Sequence, residues 1–351
     1  MLYELYLLFD INLFKYISVR ALGGFLVSLF VCLFLMPRFI AWAKIKLQQP
    51  INKYVEGHKS KSKTPTMGGV IFVGSTLLAS LLTVDLSNEW VWVALLTIVL
   101  FTLVGLMDDL QKIFTGDNLL GLSAGVKFVA QSIFAVVIAT MLYSFGFMTE
   151  LYVPFYKYPL FDMGVWCIPF WSFIIVSTCN AVNITDGLDG LATFPSFLAF
   201  LTLSVFVYLI GNAIYSEYLL LPTFIGVGEV CIIAACFAGS LLGFLWFNAY
   251  PAEIFMGDSG SLPIGAFMAY LAILGKSEVL LILIGFVFVM ETVSVMMQVF
   301  SFKVRKKRVF LMAPLHHHFE MKGWGESKII IRFWVISLIV NLVAILTLKF
   351  R

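Results

Sequence analysis

Asparagines, aspartates and histidines recur in four short stretches of an otherwise apolar chain. Asp108 and Asp109 are adjacent. Asn180, Asn183, Asp186 and Asp189 follow at three-residue steps. Asn248 and Asp258 flank a third stretch, and His316, His317 and His318 form the fourth. Carboxylates and amide carbonyls are hard oxygen ligands. Such sets suit Mg2+, which binds through one or two carboxylates together with substrate phosphates. Lys61, Lys112 and Lys127 add cations for phosphate oxygens. Acids for a metal and lysines for phosphate are the parts that phosphoryl transfer uses. Zinc is disfavoured, because three consecutive histidines do not converge easily on one ion and no thiolate lies nearby.

Each stretch also has a purely structural reading. The aspartate pair could end a helix, and helix neighbours point about 100° apart, so both need not serve one ligand. Gly187 and Gly190 permit a bend between the acids, but three acids or amides at a membrane edge are costly for a mere turn. Asp258 lies in the tight turn Phe255-Met256-Gly257-Asp258-Ser259-Gly260 and could be an N-cap. The histidine run is internal and follows Ala313-Pro314-Leu315, unlike an expression tag. Glu291 is read as a helix-packing or hinge residue.

The elements that must position these residues are membrane helices. Hydrophobic residues make up 61% of the 351 and charged ones only 12%, an excess too large for a soluble core. Disorder is excluded by the same numbers, and a net charge of +3 does not suggest a nucleic-acid binder. The cysteines Cys32, Cys167, Cys179, Cys231 and Cys236 sit in apolar runs as small hydrophobes. A span needs about 17–25 apolar residues. Ten candidates satisfy this: 19–43, 67–84, 90–107, 126–146, 164–183, 191–211, 226–247, 259–275, 279–300 and 329–348. Backbone satisfaction in lipid makes each a helix. The expected fold is therefore all-α, with one ten-helix membrane domain over 19–351 and an amphipathic interfacial segment over 1–18. Glu4 and Asp10 argue against a signal peptide there.

Orientation follows from Lys and Arg. Loop one carries Lys44, Lys46, Lys53, Lys59, Lys61 and Lys63, loop three Lys112, and loop nine Lys303, Arg305, Lys306, Lys307, Arg308, Lys322 and Lys328. The odd loops thus hold fourteen basic residues against six in the even loops and termini. The odd loops are expected in the cytoplasm and both termini in the periplasm, with the Lys303–Arg308 cluster serving chiefly as a topological signal. All four chemical stretches fall on the cytoplasmic side and converge on one expected site.

The motifs then resemble a known family. The segments are Thr64-Pro65-Thr66-Met67-Gly68-Gly69, Asp108-Asp109, Asn180-Ala181-Val182-Asn183-Ile184-Thr185-Asp186-Gly187-Leu188-Asp189-Gly190, Phe247 through Asp258, and Ala313-Pro314-Leu315-His316-His317-His318-Phe319-Glu320. In this order they are similar to the phospho-N-acetylmuramoyl-pentapeptide transferases of the polyprenyl-phosphate N-acetylhexosamine-1-phosphate transferase superfamily, from about residue 20 to the end. Ile184 stands where Leu is expected and Ser259 where Val is expected. The resemblance implies transfer of phospho-MurNAc-pentapeptide from UDP to undecaprenyl phosphate, giving lipid I and UMP at the inner membrane. It implies Mg2+ and a homodimer. It also implies that Asp258 ligates the metal and that Asp108 and Asp109 lie at the reacting phosphates. Lys61, Asn183, Asp186, Asp189, Asn248 and Phe255 match its nucleotide site, and Lys112 and Lys127 match its lysines. His316, His317 and His318 match its loop-nine motif and are expected among the catalytic residues, and Asn180, which opens the third segment, among the substrate-binding ones.

Bottom-up logic agrees. One substrate is water-soluble and the other is a lipid whose phosphate lies at headgroup level, so they meet at the interface, where the acids are. One pyrophosphate linkage replaces another, so no ATP site is needed, and no Gly-x-x-x-x-Gly-Lys-Ser/Thr run is present. A UDP-GlcNAc:polyprenyl-phosphate transferase is the runner-up, disfavoured by the uninterrupted His316-His317-His318. A secondary transporter would carry its charges near the midplane, and an intramembrane aspartyl protease would bury its aspartates there. The residues leave open whether Asp108 deprotonates the lipid phosphate for direct attack or an aspartate forms a covalent phospho-enzyme; economy favours direct attack.

Overall fold

A computed structural model describes residues 2–46, 64–115 and 121–350; Lys61 lies outside them. The helices in chain order are α1 (Leu2–Phe9), α2 (Ile17–Lys46), α3 (Gly68–Thr83), α4 (Glu89–Thr115), α5 (Ala124–Ser144), α6 (Cys167–Thr185), α7 (Thr193–Ile210), α8 (Ala213–Leu219), α9 (Val230–Asn248), α10 (Asp258–Leu274), α11 (Leu281–Ile284), α12 (Phe286–Arg305), α13 (Leu315–Met321) and α14 (Glu326–Leu346). Eight are long and apolar enough to cross a membrane among the described residues, and α3 and α10 are shorter apolar helices in the expected second and eighth positions. The architecture is that of an all-α polytopic membrane protein.

Burial separates the core from the lipid-facing shell. α10 is buried along its whole length and packs mainly on α4 and α6, with α7 and α3 beside it. Small residues make this close approach possible. A Cβ at Gly265 would strike the Cys179 backbone, one at Gly105 the Asp258 carbonyl, and one at Gly69 the Gly260 backbone. α9 joins α2 and α7. In contrast, α2, α5 and α12 leave most of their apolar surface exposed, as Phe30, Phe34, Phe128, Ile133, Met296 and Phe300 illustrate. In a bilayer that surface faces hydrocarbon. All five cysteines are buried and unpaired.

Several boundaries differ from expectation. Span three was expected to end at Met107, where hydropathy drops. The helix instead runs on to Thr115, because Lys112 pairs with Asp108 one turn earlier at 2.6 Å. Span nine was expected as one helix over 279–300. It breaks at Gly285, whose N–H closes α11 on Leu281 O, and α12 continues to Arg305. Hydropathy does not register such a break. The loops also contain structure: α8, α13, and a two-stranded antiparallel ribbon of β1 (Glu150–Leu151) and β2 (Phe161–Asp162).

The end of the bundle away from the chemical stretches is closed by structural ion pairs. Buried Arg20 chelates Glu229, which also accepts the N–H of Asp85. Buried Lys276 contacts Glu278 at 3.3 Å and donates to Met148 O. These four buried charges are thus paired with one another, as burial requires.

Candidate active site

The site assembles where α4 meets the start of α10. Asp108, Asp109 and Asp258 bring carboxylate oxygens within 4.8 Å of one another. Their roles differ because successive residues on α4 point in different directions. Asp109 is buried and turns towards α10: its Oδ1 accepts the N–H of Asp258 at 3.0 Å and its Oδ2 that of Ser259 at 2.9 Å. It satisfies two of the otherwise orphaned donors at that helix start, where negative charge is also favoured. Gly257, at φ 75°, has no room for a side chain beside this carboxylate. Asp258 is therefore not the cap of α10. It is the first residue of a helix capped from a distance by Asp109.

Asp258 and Asp108 face two lysines. Lys127 Nζ lies 2.5 Å and Lys112 Nζ 3.1 Å from Asp258 Oδ2, and the same two ammonium groups lie 4.0 Å and 2.6 Å from Asp108 Oδ2. Asn183 Nδ2 donates to Asp258 Oδ1 at 2.7 Å and to Ser261 Oγ at 2.9 Å. Asp108 Oδ1 accepts the N–H of Leu122 at 2.8 Å, fastening the start of the α5 segment to α4. Ser123 Oγ caps α5 and so sets the helix that delivers Lys127. Two carboxylates face the two ammonium groups, and Asp109 adds a third carboxyl behind them. Such a cluster suits a divalent cation, with Asp258 and Asp108 offering oxygens and Asp109 holding their frame.

A second group lies around the turn after α6. Asp189 is buried; its Oδ2 accepts the N–H of Ala252 at 3.0 Å and its own N–H donates to Glu326. Asp186 is half-buried. Burial, then the charges of Asp258, Asp109 and Asp189, push its carboxyl up to about 8. Asn248 is buried, with Oδ1 accepting from Thr193 and Nδ2 donating to Ile254 O. It shapes the 249–254 loop from within. Asn180 donates to Gln131 Oε1 and so ties α6 to α5. Phe255 is half-buried. Its N–H bonds Pro65 O, and its carbonyl and that of Met256 accept the N–H groups of Gly68 and Gly69. The Thr64–Gly69 segment thus clamps the loop that leads into Asp258.

The three histidines have three different partners. His316 Nδ1 lies 3.2 Å from Glu291 Oε2, His317 Nδ1 lies 2.6 Å from Glu320 Oε2, and His318 Nδ1 accepts the N–H of Leu311. His316 packs against Gly187, in the turn between Asp186 and Asp189. Sequence reasoning missed Ser261, Gln131 and Thr193, each the partner of a named amide. Ser261 was legible as the residue one turn after Asp258.

A family model described as glycosyl transferase family 4 matches residues 91–276, just over half of the chain. The phospho-N-acetylmuramoyl-pentapeptide-transferase signature 1 matches residues 61–73. A protein named phospho-N-acetylmuramoyl-pentapeptide-transferase from Nitratiruptor sp. is 60% identical over the full length of both chains. The chain belongs to the phospho-N-acetylmuramoyl-pentapeptide-transferase family. Members from Aliarcobacter butzleri, 54% identical over the full length of both chains, and Campylobacter jejuni, 56% identical over 96% of this chain and 97% of the relative, bear the same name. The described part of the family signature, residues 64–73, holds the Thr64–Gly69 segment that clamps Phe255 and Met256 and the start of α3. The glycosyl transferase match covers α4 to α10, the helices that carry all three clustered aspartates.

Proposed function

We propose that this chain transfers phospho-MurNAc-pentapeptide from UDP-MurNAc-pentapeptide to undecaprenyl phosphate, releasing UMP and forming lipid I, the first membrane step of peptidoglycan synthesis. The observation that carries the reading is the pair Asp108 and Asp258 with Lys112 and Lys127 between them, where α4 meets the start of α10 in a bundle of apolar helices. The proposed setting is the bacterial inner membrane, with ten spans, both termini periplasmic, the site on the cytoplasmic face and residues 1–18 lying at the interface. A homodimer is proposed from the family alone.

In this reading Asp258, with Asp108 beside it, would hold Mg2+, which when bound would supply neutralisation of charge on the pyrophosphate. The rest is done by the chain. Lys112 and Lys127 exchange carboxylate partners for phosphate oxygens as the substrates arrive. An oxygen of the lipid phosphate attacks the sugar-bearing phosphorus, the bond from that phosphorus to the UMP oxygen breaks, and UMP leaves with the bond electrons. Asp108 takes the proton of the lipid phosphate where one remains. Direct attack is favoured over a covalent aspartyl phosphate because aligned oxygens and lysines already supply positioning. Phe255, Asp186, Asp189, Asn183 and Asn248 shape the nucleotide side. Lys61 is proposed for it from the family motif, and His316, His317 and His318 border it.

The test is an assay of purified protein with UDP-MurNAc-pentapeptide and, separately, UDP-GlcNAc, with and without EDTA. Turnover of the first alone, abolished by EDTA, is expected. Preference for UDP-GlcNAc would establish the runner-up, and full activity of Asp258→Asn in EDTA would remove the metal assignment.

A further inference from the structure

Glu291 sits in the second turn of α12 and is completely buried. A carboxylate at that position in a membrane helix demands partners. Its partners are all in loop nine. Oε2 accepts the N–H of Leu315 at 2.7 Å, Oε1 accepts that of His316 at 3.1 Å, and Oε2 also lies 3.2 Å from His316 Nδ1. The loop is bound to the same face of α12 further along. Gln298 accepts the N–H groups of Val309 and Phe310, and Ser301 donates to Lys307 O. Residues 291, 298 and 301 share one helix face, so α12 is a rail along which loop nine is laid.

The ring of His316 is almost wholly buried, and neither ring nitrogen makes a hydrogen bond of good geometry; Nδ1 has the Glu291 carboxylate beside it, whereas Nε2 has no polar neighbour of this kind. That nitrogen is the ring atom nearest to any substituent placed on Gly187. Two independent arguments then place the ring proton. The Nδ1 contact with Oε2 is off the ideal hydrogen-bond line, yet a bare Nδ1 lone pair facing a carboxylate oxygen would be repelled, so the proton belongs on Nδ1. An N–H at Nε2, packed beside Gly187, would have no acceptor, which is costly for a buried donor. Both favour the Nδ1–H tautomer.

We propose that Glu291 is a positioning residue for the donor side of the site. It fixes His316 in the Nδ1–H form, with a bare Nε2 seated against Gly187, and thereby sets the turn that carries Asp186 and Asp189. The consequence for catalysis rests on the transferase reading; the tautomer does not. In Glu291→Gln the amide oxygen would take the Oε2 place, keeping the Leu315 N–H and the contact with His316 Nδ1. Glu291→Leu removes the acceptor, so the imidazole loses its reason to hold the proton at Nδ1 and shifts towards the Nε2–H form, which presses on Gly187.

The chain has four histidines, so ring nitrogen-15 NMR of histidine-labelled protein in detergent resolves the question. The His316 signals are identified by their loss in His316→Gln. The expected result is Nδ1–H in the parent protein and a shift towards Nε2–H in Glu291→Leu. In kinetics, Glu291→Leu and Gly187→Ala should each raise KM for the UDP-sugar about tenfold and leave KM for polyprenyl phosphate within about twofold. An Nε2–H tautomer in the parent protein overturns the proposal, even if Glu291→Leu does not fold. So does an unchanged tautomer in folded Glu291→Leu, or an equal rise in KM for both substrates. An Nδ1–H parent tautomer in a protein inactive on UDP-MurNAc-pentapeptide would instead remove the proposed function and leave the positioning role standing.

Discussion

Asp109 and Asp258 are 149 residues apart in sequence, and the carboxylate of the first accepts the backbone N–H of the second at 3.0 Å. The acid pair of α4 is therefore divided. One member builds the start of α10, and the other faces the lysines. An asparagine at 109 would accept one N–H and oppose the other with its own amide donors.

Asp109→Asn should thus destabilise the fold by about 2–3 kcal/mol, the scale of a charge-assisted hydrogen bond lost from a buried site. Asp108→Asn should lose activity with a smaller change in stability. Thermal unfolding of the two detergent-solubilised variants checks this. Equal midpoints, or a greater loss for Asp108→Asn, would contradict the division of roles.

Asp186 gives a pH-dependent expectation in metal-free protein. Its folded carboxyl is raised to about 8, whereas in the unfolded chain an aspartate titrates at about 3.9. Below about pH 4 both states are protonated. Between about pH 4 and 8 the unfolded state releases its proton first, so stability falls as pH rises and levels off above about 8. In EDTA, Asp186→Asn should flatten this decline in unfolding midpoint. A decline as steep as that of the parent protein would show that Asp186 does not cause it.

Phe255 offers a half-buried aromatic face on a loop clamped by Pro65, Gly68 and Gly69. A uracil ring needs such a face together with polar partners. Phe255→Ala should weaken UDP-sugar binding more than polyprenyl-phosphate binding in direct titrations. Equal losses would mean that the ring only packs the loop.

The topology has its own check. A cysteine introduced near Lys306 should resist an impermeant thiol reagent in intact cells, and one near Asn212 should react. The reverse pattern would move the site to the other face.

Much of this arrangement was legible in the sequence because lipid leaves few choices. Apolar runs must be helices, so the approximate positions of the spans follow from hydropathy. The acids stand out because they are expensive there. What was not legible is where helices outlast their apolar runs or break within them. α4 continues past Asp109 through the Asp108–Lys112 pair, and α11 stops at Gly285 inside an unbroken apolar stretch. Side-chain assignments within a motif were also beyond reach. Asn248 stands in a motif, but the sequence does not show that its amide bonds Thr193 and Ile254 and so shapes the 249–254 loop. Glu291 reads as a packing residue until loop nine is seen folded back onto α12.

The central claim is that the cluster of Asp108, Asp258, Lys112 and Lys127 exchanges one pyrophosphate bond for another between a nucleotide-sugar and a lipid phosphate. The most direct measurement follows UMP release and lipid-linked sugar together, using purified protein, Mg2+ and UDP-MurNAc-pentapeptide, with polyprenyl phosphate present or omitted. The account predicts equal amounts of UMP and lipid I, formed only when the lipid phosphate is present, and neither product from Asp258→Asn. Sustained UMP release without lipid, or equal turnover by Asp258→Asn, would contradict it.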